Sequence, residues 1–215
     1  SVGYIFSGWS PAVPATANDD YAFVAQYEEE DDVTYTVTVE NGSISPSGGS
    51  YKYNTQVTVT AGDFESGRKF AYWTKNGVIV SYSPNYSFYV WDDTEIRAVS
   101  VPISDNVTAA PAIYMDDNVK TDSDGEFSRL IFASERTMPA GYTLIETGIL
   151  VSDESDIDLG SFDKKAVAQS ASGSGQFTAR VDGLTAGATR YARAYMIYKI
   201  GGDYKVIYSN TVVGT

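Results

Sequence analysis

Hydrophobic and polar residues alternate with a period of two along most of the chain, and each alternating segment ends at turn-forming residues. The clearest example is the segment of residues 34–40. There Tyr35, Val37 and Val39 share one face, and threonines and a glutamate share the other. This alternation is typical of β-strands with one buried face, and helical periodicity is nearly absent. The sequence therefore predicts an all-β protein with antiparallel sheets.

Two Asn-Gly dipeptides indicate tight turns between predicted strands. Asn41-Gly42 directly follows the first alternating segment, and Asn76-Gly77 separates residues 70–73 from residues 78–80. Both residue types tolerate the positive φ values that tight hairpins require. In residues 86–90 the alternation places Tyr, Phe and Val on one face. These signals predict hairpins within a half-buried antiparallel sheet.

An internal repeat connects the start of the chain with the region before residue 100. The pattern Phe-x-x-Trp occurs at residues 6–9 and again at residues 70–73. An aspartate pair follows each copy, at Asp19-Asp20 and at Asp92-Asp93. The second copy is longer between these two positions, as an inserted hairpin would make it. A repeated small β-unit is predicted, with the tryptophan of each copy in its core.

Two changes in composition predict the boundaries of the modules. The acidic run of residues 28–32 is typical of a solvated linker, and a functional acidic patch is the alternative. Pro102 ends a predicted strand, and loops rich in Ser and Asp follow it. We therefore predict the end of a truncated unit at residues 1–29, a complete unit at 30–103 and a β-sandwich at 104–215.

The first two segments resemble a known family. Residues 3–11, followed by residues 21–27, resemble the end of a B-repeat of internalin-type bacterial surface proteins. Residues 33–101 resemble a divergent relative, which opens with the motif at residues 36–42. The resemblance implies a small β-fold arranged in arrays along cell-wall proteins of Gram-positive bacteria. It implies no catalytic residues.

The last segment resembles a different family. Residues 183–194 resemble the stretch around the tyrosine corner of a fibronectin type III-like sandwich, where a Tyr hydroxyl bonds to nearby backbone. Ala186 stands where that family often has Pro. The resemblance implies that residues 104–215 form an antiparallel fibronectin type III-like or immunoglobulin-like β-sandwich.

The register of the next strand, residues 191–198, is left open by the sequence. Its two faces consist of Tyr191, Arg193 and Tyr195 on one side and Ala192, Ala194 and Met196 on the other. Either face fits a sandwich core, because both contain side chains that can be buried. Gly201-Gly202 is predicted to join this strand to a second tyrosine-rich strand.

Composition then narrows the possible chemistry. The 215 residues include 15 Lys+Arg and 28 Asp+Glu, a net charge of -13, and neither Cys nor His. These absences exclude disulfides, thiol nucleophiles, zinc sites of the usual His/Cys kind and Ser-His-Asp triads. The acidity argues against nucleic-acid binding, which needs a basic surface. No apolar run is long enough to predict a membrane span.

Carboxylates are the remaining catalytic candidates, because glycosidases use paired acids. The aspartates of this chain cluster in predicted turns, at Asp92-Asp93 and Asp116-Asp117 among others, where Asp commonly bonds its own backbone. We therefore expect no catalytic residues and no enzyme activity. No cofactor is predicted either.

Calcium is the one metal that the sequence leaves open. Residues 122–125 resemble the centre of an EF-hand loop, but Lys120 and Ile131 occupy the two anchoring positions, so that motif is rejected. A looser calcium site is the weaker alternative to solvated loop acids. Its candidate ligands are Asp153, Asp156 and Asp158, with Glu154 beside them.

Aromatic residues form the predicted binding site. Trp91, Tyr89 and Tyr82 would form a platform for glycan or protein if their side of the sheet is solvated. The alternative is that these side chains pack within the sandwich or between modules. Their burial would count heavily against carbohydrate binding.

Lysine cross-links are a further possibility. Some Gram-positive surface sandwiches form Lys–Asn isopeptide bonds beside a buried carboxylate. Lys164 or Lys165 could take part in such a bond only if it were buried.

These patterns predict a non-catalytic structural or adhesive module of a secreted or cell-wall-attached bacterial surface protein. Its partners would be the neighbouring domains of a longer parent chain, and it would also contact host protein or glycan. We expect a monomer that binds no nucleic acid and inserts no part of this segment into a membrane. The alternative function is a carbohydrate-binding module of a polysaccharide-degrading enzyme or scaffold, which would use exposed Tyr and Trp.

Overall fold

A computed structural model describes residues 4–10, 22–29, 34–123, 127–168 and 173–214. Every regular element in these ranges is a β-strand. The all-β prediction is therefore confirmed. Within the same ranges, no helix suited to crossing a membrane is present.

The first two strands stand apart as an antiparallel pair. They are β1 (Tyr4–Ser10) and β2 (Val24–Glu29). Trp9 contacts Phe23 edge to face at a centroid distance of 6.4 Å, yet it is 47% exposed. The core position predicted for this tryptophan is therefore wrong, because among the described residues this two-stranded sheet has no second layer that covers it. Asp19, Asp20 and the run at 30–32 lie outside the described residues.

Residues 34–102 form a first sandwich of two sheets. Its strands are β3 (Thr34–Glu40), β4 (Gly42–Ser45), β5 (Ser50–Lys52), β6 (Thr55–Ala61), β7 (Arg68–Lys75), β8 (Val78–Ser81), β9 (Asn85–Val90) and β10 (Thr94–Pro102). One sheet has the order β5-β3-β10-β7-β8, and the other has the order β4-β6-β9. The pair β3 and β10 is parallel, whereas the other pairs of this sandwich are antiparallel.

The core between these sheets follows the predicted alternation. Val37 is buried in β3, while Phe88 and Val90 are buried in β9 and alternate with the exposed Ser87 and Tyr89. Trp73 is fully buried at the centre, and its indole Nε1 donates to the carbonyl of Pro84 at 3.2 Å. The tryptophan of the second repeat copy therefore has the predicted core role.

The two Asn-Gly turns differ in what they connect. Asn76-Gly77 joins the paired strands β7 and β8, so the predicted hairpin is confirmed. Asn41-Gly42 instead carries the chain from β3 in one sheet to β4 in the other, so a hairpin there is wrong. Asn41 has a left-handed φ of 58°. A Cβ on Gly42 would lie 2.6 Å from the Trp73 ring, so glycine is needed at this corner for close packing.

Residues 112–214 form a second sandwich. Its strands are β11 (Ala112–Met115), β12 (Lys120–Ser123), β13 (Phe127–Thr137), β14 (Thr143–Ser152), β15 (Lys164–Val167), β16 (Gly175–Thr185), β17 (Arg190–Ile200) and β18 (Asp203–Gly214). In one sheet β13 pairs with β11, β12 and β16, and the other sheet has the order β15-β14-β17-β18. All of these pairs are antiparallel.

The open register of β17 is resolved by its position in this sandwich. Ala192, Ala194 and Met196 face the main core between the two sheets. Tyr195, on the opposite face, is also buried, because it packs with Leu150 and Ile157 in a smaller cluster. The glycine pair joins β17 to β18, as predicted. The domain boundaries predicted at residues 29 and 103 stay predictions.

Candidate functional site at the junction of the two sandwiches

The two sandwiches are connected by hydrogen bonds between side chains of the second sandwich and backbone groups of the first. Thr137 Oγ1 of the second sandwich donates to the carbonyls of Ile79 and Val80 in β8. The side-chain amide of Gln176 bonds both backbone groups of Tyr89, accepting from its N–H at 2.7 Å and donating to its carbonyl at 3.0 Å. Polar edge groups of β8 and β9 are thus satisfied by the neighbouring sandwich.

A buried ionic cluster lies beside these contacts. Lys75, at the end of β7, has a fully buried side chain and donates a hydrogen bond to Oδ1 of Asp116, which follows β11 and is equally buried. Oδ1 of Asp92 lies 3.8 Å from the same ammonium. Glu135 on β13 is 3% exposed and interacts electrostatically with Lys75. One ammonium thus faces three carboxyl groups, two of them from the second sandwich.

Aromatic side chains surround the cluster and lower its contact with water. The Lys75 ammonium lies 5.4 Å from the ring centroid of Tyr114 and 5.7 Å from that of Phe88. The Tyr114 hydroxyl accepts a hydrogen bond from Asn76 Nδ2 at 2.7 Å. Cation–π contacts of this kind gain strength when water is excluded. The rings therefore help to hold the ammonium where it is buried.

Burial controls the protonation of the carboxyl groups. Loss of water raises the pKa of Asp92 to about 7, with the charge of Asp116 adding to the rise and Lys75 opposing it. Burial also raises the pKa of Asp116 and that of Glu135 above their ordinary values. The carboxyls of Asp92 and Asp116 interact with each other, and the charge of Asp116 disfavours ionisation of Asp92. The cluster therefore retains a proton near neutral pH.

Tyr86 connects the cluster to the surface of the first sandwich. Its hydroxyl donates a hydrogen bond to Oε1 of Glu135. Burial first, and then the charge of Glu135, raise the pKa of Tyr86 well above its ordinary value, so the phenol stays protonated and keeps donating. The other carboxylate oxygen, Oε2 of Glu135, is buried and has no hydrogen-bond partner in the described part of the chain.

The pKa of Asp92 gives the junction a predictable pH dependence. Its folded pKa of about 7 lies above that of an exposed aspartate, so the folded state binds the proton more tightly. The resulting stability is present at low pH and is lost as pH rises through about 7. We expect the free energy of unfolding to fall by about 2–3 kcal/mol between pH 5 and pH 8.

Urea unfolding at a series of pH values measures this effect. Asp92→Asn should flatten the pH profile, while Asp203→Asn, at an exposed hairpin, should leave it unchanged. Parallel profiles for the wild type and Asp92→Asn would contradict the assignment.

A cleft of about 790 Å³ opens next to the cluster, between the two sandwiches. Its lining combines aromatic and polar side chains from both sides. They include Tyr82, Tyr86, Tyr89 and Trp91 from the first sandwich, and Glu135, Thr137, Gln176 and Phe177 from the second. The cleft is thus a preformed concave site with aromatic walls.

The structure brings together the three residues of the predicted binding platform, but it does not expose them equally. Tyr89 is 39% exposed, Tyr82 is half-buried and Trp91 is only 7% exposed. Trp91 donates from its indole to Asn54 at 3.2 Å, and its carbonyl accepts from Asn118 of the second sandwich at 2.7 Å. Packing between modules, the alternative weighed above, therefore describes Trp91, while Tyr89 presents its ring to the cleft.

The structure does not bring the weak calcium candidates together as a set of ligands. Asp153 pairs with Arg190 at 2.7 Å, and Oδ1 of Asp158 accepts the backbone N–H of Gly160 at 2.7 Å. Asp156 is exposed. Within the described ranges, no three acidic side chains are grouped so that they could hold a metal ion.

The lysines proposed for a cross-link are also placed elsewhere. Lys165 is exposed and pairs with Glu146 at 2.6 Å. Lys164 is half-buried and donates to the carbonyl of Asp182 at 2.9 Å. Neither meets the condition of burial beside a carboxyl group. Lys75 meets this condition. The sequence indicated its burial, because it lies on the same face of β7 as the buried Ala71 and Trp73.

Comparison with known proteins finds a family match within the first sandwich. Residues 32–102 match the family described as the divergent InlB B-repeat domain. This agrees with the resemblance noted for residues 33–101. A search of curated proteins found no match. The chain is also similar to the crystal structure of a DUF3823 family protein from Bacteroides ovatus ATCC 8483, with 13% identity, a TM-score of 0.33, and coverage of 83% of this chain and 91% of that chain. A likeness this distant supports no inference.

Proposed function

We propose that the chain is a non-catalytic structural or adhesive part of a bacterial surface protein, in which it spaces or presents other domains. The B-repeat match at residues 32–102 supports a setting at the bacterial surface. We place the parent protein outside the cell, secreted or attached to the wall of a Gram-positive bacterium. The chain acts there as a monomer that contacts neighbouring domains and host protein or glycan.

The buried junction is the observation that carries this proposal. Domains joined in one chain usually move relative to each other unless their interface is large or strongly bonded. Here Lys75 and Asp116 pair across the junction with both side chains fully buried. Gln176 and Thr137 add hydrogen bonds to the backbone of the first sandwich. A spacer needs a fixed orientation between its modules, and these contacts provide one.

NMR relaxation tests this spacer function. We expect amides of β6 and of β14 to report the same rotational correlation time, as two parts of one rigid body. The double variant Thr137→Val and Gln176→Ala should loosen the coupling, whereas Thr211→Val, at an exposed position, should not. Independent tumbling of the two sandwiches in the wild type would contradict a rigid spacer.

Carbohydrate binding is the second candidate function, and the cleft is what favours it. Tyr82, Tyr89 and Trp91 line the same cleft, with Tyr89 presenting an exposed ring. Gln176 and Thr137 add polar side chains to its walls. Aromatic faces and a few polar groups are the usual elements of a saccharide site.

Binding to a broad array of neutral and acidic glycans tests this second candidate. We expect any neutral oligosaccharide that binds to lose about tenfold in affinity with Tyr89→Ala, in line with the loss of one aromatic contact. Tyr204→Ala is the matched control, because Tyr204 is 64% exposed and lies outside the cleft. An array without binders, or binding unchanged by Tyr89→Ala, would contradict carbohydrate recognition in the cleft.

A further inference from the structure

The contact between Lys75 and Asp116 brings an amine and a carboxyl group together across the junction. The two residues lie 41 positions apart in the chain and belong to different sandwiches. Both side chains are fully buried, so water does not compete for the contact. A third group, the carboxyl of Asp92, lies 3.8 Å from the amine and interacts electrostatically with Asp116. These are the groups that amide formation requires: a nucleophile, an acyl group and a proton relay.

An ion pair alone satisfies this site poorly. The ammonium faces the carboxyls of Asp92, Asp116 and Glu135, so a fully ionised cluster would carry buried negative charge. Oδ2 of Asp116 meets no N–H or hydroxyl donor among the described residues. Burying charges without full compensation is costly, because the lost hydration is only partly replaced. Conversion of the ion pair into an amide removes the buried charges of Lys75 and Asp116, and burial, which raises the pKa of Asp92 and that of Glu135, favours neutral carboxylic acids beside the amide.

We propose that Lys75 and Asp116 are joined by an isopeptide bond that forms within the folded chain and links the two sandwiches covalently. This goes beyond the spacer function, because it adds a modification site of the chain itself. The bond forms without any external cofactor, since all reacting groups belong to the chain.

The reaction balances as a condensation. A proton passes from the Lys75 ammonium to the Asp116 carboxylate, which gives a neutral amine and a carboxylic acid. The amine nitrogen then attacks Cγ of Asp116, so a C–N bond forms and one C–O bond breaks. The departing hydroxyl takes a proton and leaves as water, while the nitrogen loses its extra proton. Nothing is oxidised or reduced.

Asp92 is placed to move the protons of these steps. It lies 3.8 Å from the amine and interacts with Asp116, so its acid form is near enough to protonate the departing hydroxyl and its carboxylate to accept the proton from nitrogen. A pKa of about 7 populates both forms at neutral pH, which favours general acid–base catalysis. The rings of Phe88 and Tyr114 flank the amine and keep water away from the new amide. Asp92 ends in its starting state and is therefore a catalytic residue of this step.

The intact mass of the purified chain tests the bond directly. We expect a mass lower than that calculated from the sequence by one water molecule. Because trypsin does not cleave after a modified lysine, the digest should contain residues 70–97 linked to residues 98–120. The full calculated mass, in folded protein incubated at neutral pH, would overturn the proposal.

Matched variants identify the residues involved. Lys75→Arg and Asp116→Ala should have their full calculated masses, whereas Lys165→Arg and Asp117→Ala should keep the deficit of one water. Asp92→Asn should fold with intact Lys75 and Asp116 but form the bond slowly or not at all. A complete mass deficit in freshly folded Asp92→Asn would overturn the role given to Asp92. A linked peptide pair that lacks Lys75 would overturn the assignment of the nucleophile.

Discussion

Lys75→Met is expected to lower the free energy of unfolding by about 3–5 kcal/mol, because it removes the link between Lys75 and Asp116 and leaves a buried carboxyl group at position 116 without its partner. Asp116 loses the group that neutralises it, and Asp92 loses the lysine nitrogen at 3.8 Å. Chemical unfolding at pH 7 measures the loss. Lys205→Met, at an exposed position of β18, is the matched control and should change stability by less than about 0.5 kcal/mol.

A double variant separates the loss of a partner from general damage. Lys75→Met combined with Asp116→Leu replaces the pair by apolar groups of similar size. We expect it to recover a large part of the stability that Lys75→Met loses, since the apolar pair leaves no buried carboxyl group without a partner at position 116. The interpretation would be wrong if Lys75→Met cost no more than the control.

Trp73→Ala is expected to destabilise the first sandwich by about 3–5 kcal/mol, the usual cost of removing a large buried aromatic side chain. Trp73 is fully buried, packs against Phe70 at a centroid distance of 6.0 Å and lies over Gly42. Removal of the indole also leaves the Pro84 carbonyl without its hydrogen-bond donor. The cavity cannot close easily, because both sheets of the sandwich contribute to this cluster.

Urea unfolding measures the loss of stability in Trp73→Ala, and amide hydrogen exchange shows which strands it affects. Amides of β6 and β9 should lose protection in Trp73→Ala before those of β14 and β17. Trp9→Ala is the control from the other copy of the motif, and it should cost less than about 1 kcal/mol because that side chain is 47% exposed. Equal losses for the two variants would show that the shared motif, rather than burial, determines the effect.

Local sequence patterns predicted the strands well and the sheet partners less well. Alternation in residues 34–40 and 86–90 identified the inward side chains, because period two is a property of each strand alone. Asn76-Gly77 was correctly placed in a hairpin. At Asn41-Gly42 the same dipeptide turns the chain into the opposite sheet, and that choice depends on the long-range pairing of β4 with β6. An Asn-Gly dipeptide indicates a turn, but it does not specify which strand pairs with the strand that follows the turn.

The contacts of the candidate site were even harder to predict from local sequence patterns than the sheet partners. The alternation placed Trp91 opposite the core of its own sheet, but the second sandwich covers it there through Asn118. Asp92 and Asp116 were recognised as turn aspartates, yet their burial comes from the meeting of two modules. Lys75 had a local signal in its inward phase, whereas its pairing with Asp116 had none. Alternation along a strand predicts which side chains face the core of its own sandwich. It does not predict contacts with another module.

The parallel pairing of β3 with β10 has a consequence for how the first sandwich bears mechanical load. The two strands begin and end this sandwich and are paired from Thr94 with Val37 to Arg97 with Glu40. When the chain is pulled from both sides, parallel neighbours slide along each other, so their hydrogen bonds are stretched together instead of opening one after another. Shear of this kind resists force far better than unzipping does. We expect single-molecule stretching to unfold residues 34–102 only at high force.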